Sequence, residues 1–473
     1  MGFLKRRFSR HERYGLSFTI GLFLVVLFCV AFAGILESIL DRGLVAEVDT
    51  RIMNLVTMRR DPAGSGVLLF FTYLGNWQTI VSVGVIALVI LLLLRKKRMA
   101  LFLVGSVASS ELVSNLFKFF VHRARPDPSL ALIPATNYAF PSGHVMSAIA
   151  LYGFLGYALF HTLHRRPLKL AALYGARSLI FLIGISRIYL GVHWASDVVA
   201  GWLLGFALLT IWIEFFSQRE RYHPKALQPC FLPRWGIAAI SLALLLIEGG
   251  YVYAYYQTHP ARPVEGTFFT MIVPPSNESL QDIILSDAFP KFSETLTGKR
   301  ANPVSIIVVG SKENLIAAFK SAGWFIADIP TPSTIYRLVR SAVVGQPYPN
   351  AAVSPAFLNK EPETVAFEQP TTENRVQQRH HTRFWLSGFS WQGQPIWVAT
   401  ASFDDSLRYV VAHSINPAID EERDYIKASL DTTGFVENDK QIQLVPPFLG
   451  KNPVGDPFFT DGKAQIIVLR GTA

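Results

Sequence analysis

Cysteine is almost missing from this chain: 473 residues hold two, Cys29 in an apolar stretch and Cys230 in a basic one. That excludes a disulfide framework and a thiolate metal cluster as the source of its stability. Charge is scarce as well. Asp, Glu, Lys and Arg together make up 16% of residues, against 51% hydrophobic, and the mean hydropathy is +0.31. Such a composition excludes an ordinary soluble enzyme over the full length. Acidic residues are the scarcer sign in one half only. Residues 1–256 carry 25 Lys and Arg against 12 Asp and Glu, whereas residues 257–473 carry 19 against 22. The basic excess therefore sits with the apolar half, where it serves topology and anion binding, and it gives no support to nucleic-acid binding.

Long apolar runs are what this chain has in abundance. Stretches at 14–36, 78–94, 100–120, 145–160, 170–190, 198–216 and 235–256 predict seven membrane spans, with 67–74 as a possible extension of the second. The first is too long and uninterrupted for a cleaved signal segment and is expected to be retained. Basic clusters precede span one (Lys5, Arg6, Arg7, Arg10, Arg13), follow span two (Arg95, Lys96, Lys97, Arg98) and span four (Arg165, Arg166, Lys169), and separate spans six and seven (Arg219, Arg221, Lys225, Arg234). With alternating spans all four share one face, which the positive-inside rule makes cytoplasmic. Between spans one and two, 48–58 reads as an interfacial amphipathic helix.

Three polar clusters then fall at span ends on the opposite face: Lys118 with Arg125 and Pro126; Pro141, Ser142, Gly143 and His144; and Ser186 and Arg187 with His193 and Asp197. Ionisable residues at membrane depth are costly unless used. Lys118, Arg125 and Arg187 can clamp the oxygens of a phosphate, aided by the Ser142 hydroxyl and by the backbone N–H groups at Gly143, where a helix begins. His193, with Asp197 four residues on to orient its ring, is the candidate nucleophile, and His144 the candidate acid and base. No carboxylate cluster suited to Mg²⁺ accompanies them. The expectation is a metal-independent reaction without cofactors. Singly, each of these residues has an ordinary explanation, a snorkelling anchor, a helix cap or an interfacial aromatic belt. Their shared side and spacing favour the catalytic one. Glu111 and Glu248, inside apolar stretches, are expected to make interhelical hydrogen bonds. His122, Arg123 and Asp127 are expected to be loop residues or to tune the site.

The ordered set Lys-x6-Arg-Pro, Pro-Ser-Gly-His and Ser-Arg-x5-His-x3-Asp resembles the signature of the type 2 phosphatidic acid phosphatase superfamily, which includes lipid phosphate phosphatases and vanadium haloperoxidases. The resemblance covers spans one to six. It implies an all-α transmembrane bundle and a lipid phosphatase acting on lipid or isoprenoid mono- or diphosphates through a phosphohistidine. A phosphotransferase, a non-catalytic phospholipid-binding or translocating protein, and more weakly a haloperoxidase are the alternatives. The expected partition is a phosphatase domain at 1–216, a cytoplasmic loop and seventh helix at 217–256, and an extracytoplasmic domain at 257–473.

The tail changes character. Strand-like runs at 267–273, 305–309, 395–400, 441–445 and 465–469 alternate with helical patterns at 312–322, 333–344 and 418–430, predicting an α/β or α+β domain. It resembles the LssY-like domain found fused to this phosphatase type, a resemblance that supplies no activity. Two stretches are unusual: the basic, aromatic run 379–385, and 401–404 together with His413 and the acidic 419–424. His380, His381, His413, Asp420 and Asp424 could line a groove or metal site, but their spacing matches no metal template, and a surface charge network is the plainer expectation. A recognition role for lipid headgroups or envelope polymers is the preferred reading of the tail.

Overall fold

The computed structural model describes residue 7 and residues 15–222, 233–262, 278–344, 346–371, 378–408, 412–452 and 455–470. The chain divides into two compact units, Met1–Glu265 and Gly266–Ala473.

Among its described residues the first unit has helices and no strand. Its elements are α1 (Leu16–Leu40), α2 (Leu44–Met58), α3 (Pro62–Leu74), α4 (Trp77–Leu93), α5 (Lys97–Val121), α6 (Gly143–Thr162), α7 (Arg166–Tyr189), α8 (Ala195–Tyr222) and α9 (Arg234–Thr258). Six of these, α1 and α5 to α9, are long and apolar enough to cross a membrane. The pair α3 and α4 counts as a seventh if taken together, bent by 50°. The predicted extension of span two is thus a separate short helix. Gly75 and Asn76 form the break, where the Gly75 N–H bonds back to Thr72 and Asn76 opens α4.

Helix α6 is the axis of the bundle. Val145, Met146, Ala148, Ile149, Leu151 and Phe154 along it are buried, and a π-helical stretch, Ile149–Gly153, interrupts its middle. Small residues bring neighbours against it, as expected where helices pack without a hydrophobic drive from water. A Cβ on Gly205 of α8 would stand 2.7 Å from Ile149, and one on Gly153 would stand 2.6 Å from Leu209. Helix α8 also packs on α1 and α5, α3 lies on α7, and α9 lies on α4 and α3.

Helix α2 corrects the expectation for 48–58. It is amphipathic, but its polar side is the buried one: Asp49 and Arg51 are each 2% exposed. Buried charge there is ion-paired, so the helix is a packed element that does not turn its polar side to water. Glu111 and Glu248 make the expected interhelical bonds, accepting from Ser147 and from Ser82 (2.8 Å).

The second unit is built on an eight-stranded sheet. Its order is 436–443, 463–469, 306–309, 394–408, 379–391, 365–370, 325–326, with 412–415 added to 394–408; only 463–469 and 306–309 run parallel. The strand period of two divides its residues between two cores. Ile306 and Val308 face helices Lys312–Ser321 and Ile419–Asp431 with Phe319 and Leu430, whereas Ile307 and Val309 pack with Trp385, Val398 and Phe389 on the other face. Two smaller sheets complete a mixed α/β unit. The predicted strand at 267–273 lies outside the described residues. The run 379–385, read from sequence as merely basic and aromatic, is a long central strand. Its alternation was hidden because one face of it carries buried charge in place of apolar side chains.

Candidate active site

The three sequence clusters come together. A cavity of about 530 Å³ in the helical unit is lined by Lys118 from the last turn of α5, Arg125 from the loop after it, Gly143 and His144 from the start of α6, Arg187 from the last turn of α7, and His193. Helix termini supply every one of these positions or the loops between them, so the bundle's own ends set the geometry.

His193 is 1% exposed and Asp197 fully buried. The imidazole Nδ1 lies 3.4 Å from Asp197 Oδ2, and Nε2 lies 3.1 Å from Arg125 Nη1. A guanidinium can only donate, so Nε2 carries its lone pair and the ring proton resides on Nδ1, facing the carboxylate. Arg125 is fixed by the carbonyls of Asn137 (2.8 Å), Thr136 (3.2 Å) and Val192. Burial lowers its pKa below the usual arginine value, with Asp197 opposing the shift. Arg187 donates to Thr72 (2.6 Å) and keeps a buried Nε that, among the described residues, has no partner; the buried Ser142 hydroxyl likewise has none there. Buried polar groups are seldom left so, and both suit an anion's oxygens. Gly143 lets Lys118 come close: a Cβ there would stand 3.0 Å from its Nζ, so a larger residue would push the ammonium aside. His144 Nε2 faces the Asn76 side-chain oxygen at 3.0 Å, so the break between α3 and α4 orients this ring. Ser142 and Asp197 stand behind the cavity wall, joined by a backbone bond of 3.1 Å.

Sequence reasoning left out the support for Asp197. Arg123, read from sequence as a loop residue or one that tunes the site, reaches Asp197 Oδ1 at 2.5 Å and Asp49 Oδ2 at 2.6 Å, while Asp49 also accepts from the Ser196 N–H at 2.9 Å. The only available signal was an acidic residue and an arginine 74 positions apart, which no local pattern links. The cavity has a further wall from outside the six-span core: Tyr255, His259, Pro260 and Arg262, at and just beyond the end of α9. Tyr73 donates to the His259 carbonyl, and the Arg262 N–H donates to Leu132 (2.8 Å).

The tail's metal candidates do not gather. His380 pairs with Glu422 (2.8 Å), His381 with Ser402, Asp420 with Thr460 and Asp461, and Asp424 with Arg423. The side chain of His413 lies outside the described residues. Among the described residues no three His, Cys, Asp or Glu side chains cluster as a metal site would require.

Burial, with Arg125, Arg187 and Lys118 around it, holds His193 well below the ordinary histidine pKa. The sign is definite. The unfolded ring takes up a proton near pH 6.5 that the folded ring refuses, so stability falls as pH drops below about 6.5. Between pH 7 and 5 the wild-type Tm in detergent should fall by more than that of His193→Gln. Equal pH profiles for the two proteins would contradict a buried neutral imidazole.

A bundle of apolar helices with a cationic, histidine-bearing pocket where their ends meet defines a membrane protein whose pocket suits an anion. Residues 99–221 match the PAP2 superfamily, and residues 286–464 match the LssY C-terminus. Phosphatidylglycerophosphatase B of Bacillus subtilis (strain 168) is 28% identical over 196 residues, 40% of this chain and 94% of that one. Dolichyldiphosphatase 1 of Plecturocebus moloch is 31% identical over 171 residues, 33% of this chain and 68% of that one. The crystal structure of a transmembrane PAP2 type phosphatidylglycerolphosphate phosphatase from Bacillus subtilis aligns with 42% of this chain and 98% of its own at 27% identity, with a TM-score of 0.39. The chain belongs to the PAP2 superfamily and is an integral membrane protein carrying an LssY C-terminal domain.

Proposed function

We propose that this protein is a membrane lipid phosphatase that removes phosphate from lipid or isoprenoid mono- or diphosphates by a metal-independent phosphohistidine route. The observation that carries this reading is the convergence of Lys118, Arg125 and Arg187 with a neutral His193 backed by Asp197. Arg125 shifts from Nε2 to a phosphate oxygen as substrate enters, which frees the lone pair for in-line attack on phosphorus. The P–O bond to the lipid breaks, His144 gives its proton to the departing oxygen, and Asp197 steadies the charge left on His193. Water then attacks the phosphohistidine with His144 as base, releasing inorganic phosphate and restoring both rings. The three cations and the N–H groups at Gly143 meet charge on the transferring group throughout.

The basic clusters support a cytoplasmic N-terminus in a bacterial inner membrane, with the site and residues 257–473 outside the cytoplasm. The partition into 1–216, 217–256 and 257–473 follows from that topology. Relatives named for phosphatidylglycerophosphate, undecaprenyl diphosphate and lipid A 1-phosphate keep all three substrate classes open, with phosphatidic acid beside them. A phosphotransferase would use the same residues with another acceptor in place of water.

The test is phosphate release from a panel of these lipids by purified protein in detergent with EDTA present. Release that survives EDTA is expected, and the preferred lipid names the substrate. Loss of release on chelation, restored by a divalent cation, would overturn the metal-independent route. Phosphate appearing only on an added acceptor would favour transfer.

A further inference from the structure

The soluble unit contains a cluster that the phosphatase reading does not use. Strands 379–391 and 394–408 are paired so that Trp385 lies opposite Val398, Arg383 opposite Thr400, His381 opposite Ser402 and Arg379 opposite Asp404. The first of these pairs belongs to an apolar core. The next three continue along the same face but are polar, and they border a cavity of about 630 Å³ in place of a packed layer. Ser402 Oγ lies 2.8 Å from His381 Nε2, and His381 Nδ1 lies 3.2 Å from Asp404 Oδ1. All three residues are at most 5% exposed. The Nδ1 contact is short but poorly aligned for a hydrogen bond, a looseness common to catalytic groups before substrate binds. Asp404 is anchored from behind by Arg379 Nε (3.3 Å), whose Nη1 is held by Glu368 (2.6 Å).

We propose that Ser402, His381 and Asp404 form a second hydrolytic site, in the soluble unit, for a carboxylic ester with an apolar acyl chain. Serine, imidazole and carboxylate stand in the order of contact that nucleophilic acyl transfer needs, and such constellations are recognised by geometry and role, independent of chain order. Burial lowers the pKa of His381, which leaves the ring neutral and able to take a proton. Leu296, Ile335, Leu338 and Val353 also line the cavity and suit an acyl chain, and the volume fits a small ligand. A structural role explains these groups poorly, because a buried ion-pair network generally stabilises no better than apolar side chains of the same volume.

In the reaction, Ser402 Oγ bonds to the carbonyl carbon while its proton passes to His381 Nε2. Arg383, which also lines the cavity two residues along the strand from His381, meets the oxyanion. Collapse breaks the ester C–O bond, and the departing alcohol oxygen takes the proton from Nε2. Water then attacks the acyl-serine, giving its proton to His381, and the acid is released as Ser402 recovers its own. Ester and water become alcohol and carboxylic acid, with no other reactant.

The experiment uses the full chain in detergent with His193→Ala in the background, so that the membrane site contributes nothing. A fluorophosphonate probe is added and the adduct is mapped by mass spectrometry; hydrolysis of p-nitrophenyl butyrate and octanoate is followed in parallel. The adduct is expected on Ser402 and weakened at least tenfold by His381→Ala. Ester hydrolysis is expected to fall by at least about 100-fold in Ser402→Ala. The adduct on Ser402 is read with Ser402, His381 and Asp404 all unsubstituted, so its presence does not depend on how Ser402→Ala or His381→Ala folds. Folded protein that carries no adduct at Ser402, or hydrolyses both esters equally well as Ser402→Ala, would overturn the proposal.

Discussion

His193→Ala should lower phosphate release by at least about a thousandfold with little change in lipid binding, because the variant keeps Lys118, Arg125 and Arg187 but lacks the nitrogen proposed to attack phosphorus. His144→Ala should behave differently. Its general acid is needed for a poor leaving group such as a lipid alcohol, and the expected loss there is about 10²–10⁴-fold. With p-nitrophenyl phosphate, whose leaving group needs no proton, attack by His193 should still proceed while hydrolysis of the phosphohistidine stalls for want of a base. A burst of nitrophenolate, together with acid-labile, base-stable phosphate on His193, is therefore expected from His144→Ala alone. Retained turnover in His193→Ala would remove that residue from the mechanism. Phosphate recovered on a different side chain would do the same.

The second large effect belongs to Arg123. It bridges Asp49 and Asp197 at 2.6 and 2.5 Å inside the protein, and Arg123→Ala would leave two buried carboxylates facing each other with no cation between them. Breaking a buried pair in this way costs about 3–5 kcal/mol. Both Tm and phosphate release should drop sharply, the latter because Asp197 would take up a proton or turn away from His193. Adding Asp49→Asn to Arg123→Ala removes one of the stranded charges and should recover part of the lost Tm. If Arg123→Ala leaves activity and Tm near wild type, the network is not what positions Asp197.

The contrast between these two predictions marks what the sequence discloses. Lys118, Arg125, His144, Arg187, His193 and Asp197 were legible because each lies at a span end, and alternating spans carry span ends to a common side. Their spacing is local: His193 and Asp197 are separated by one helical turn. Asp49 with Arg123, Thr72 with Arg187 and Asn76 with His144 are pairings across tens of residues, fixed by how helices pack and not by any periodicity. Helix α2 looked superficial because amphipathy reports that two faces differ without reporting which faces water. In the soluble unit, helices at 312–321, 332–344 and 419–431 followed their patterns closely. The conjunction of His381 with Ser402 depends on strand register, and a shift of one residue would have sent them to opposite faces.

Helix α9 has a bearing on how the two halves of this chain can be separated in the laboratory. Tyr255, His259, Pro260 and Arg262 close one side of the membrane cavity. A polypeptide stopped after α8 would keep every motif residue yet leave its cavity open on the side those four residues line, and it is expected to admit more water and bulkier headgroups than the intact chain. Differences in substrate range between such a truncated protein and the whole would then mix the loss of this helix with the loss of the domain beyond it. Cutting after residue 265 keeps every described residue that lines the cavity, so that is where the question of what the tail contributes to phosphatase selectivity can be asked cleanly.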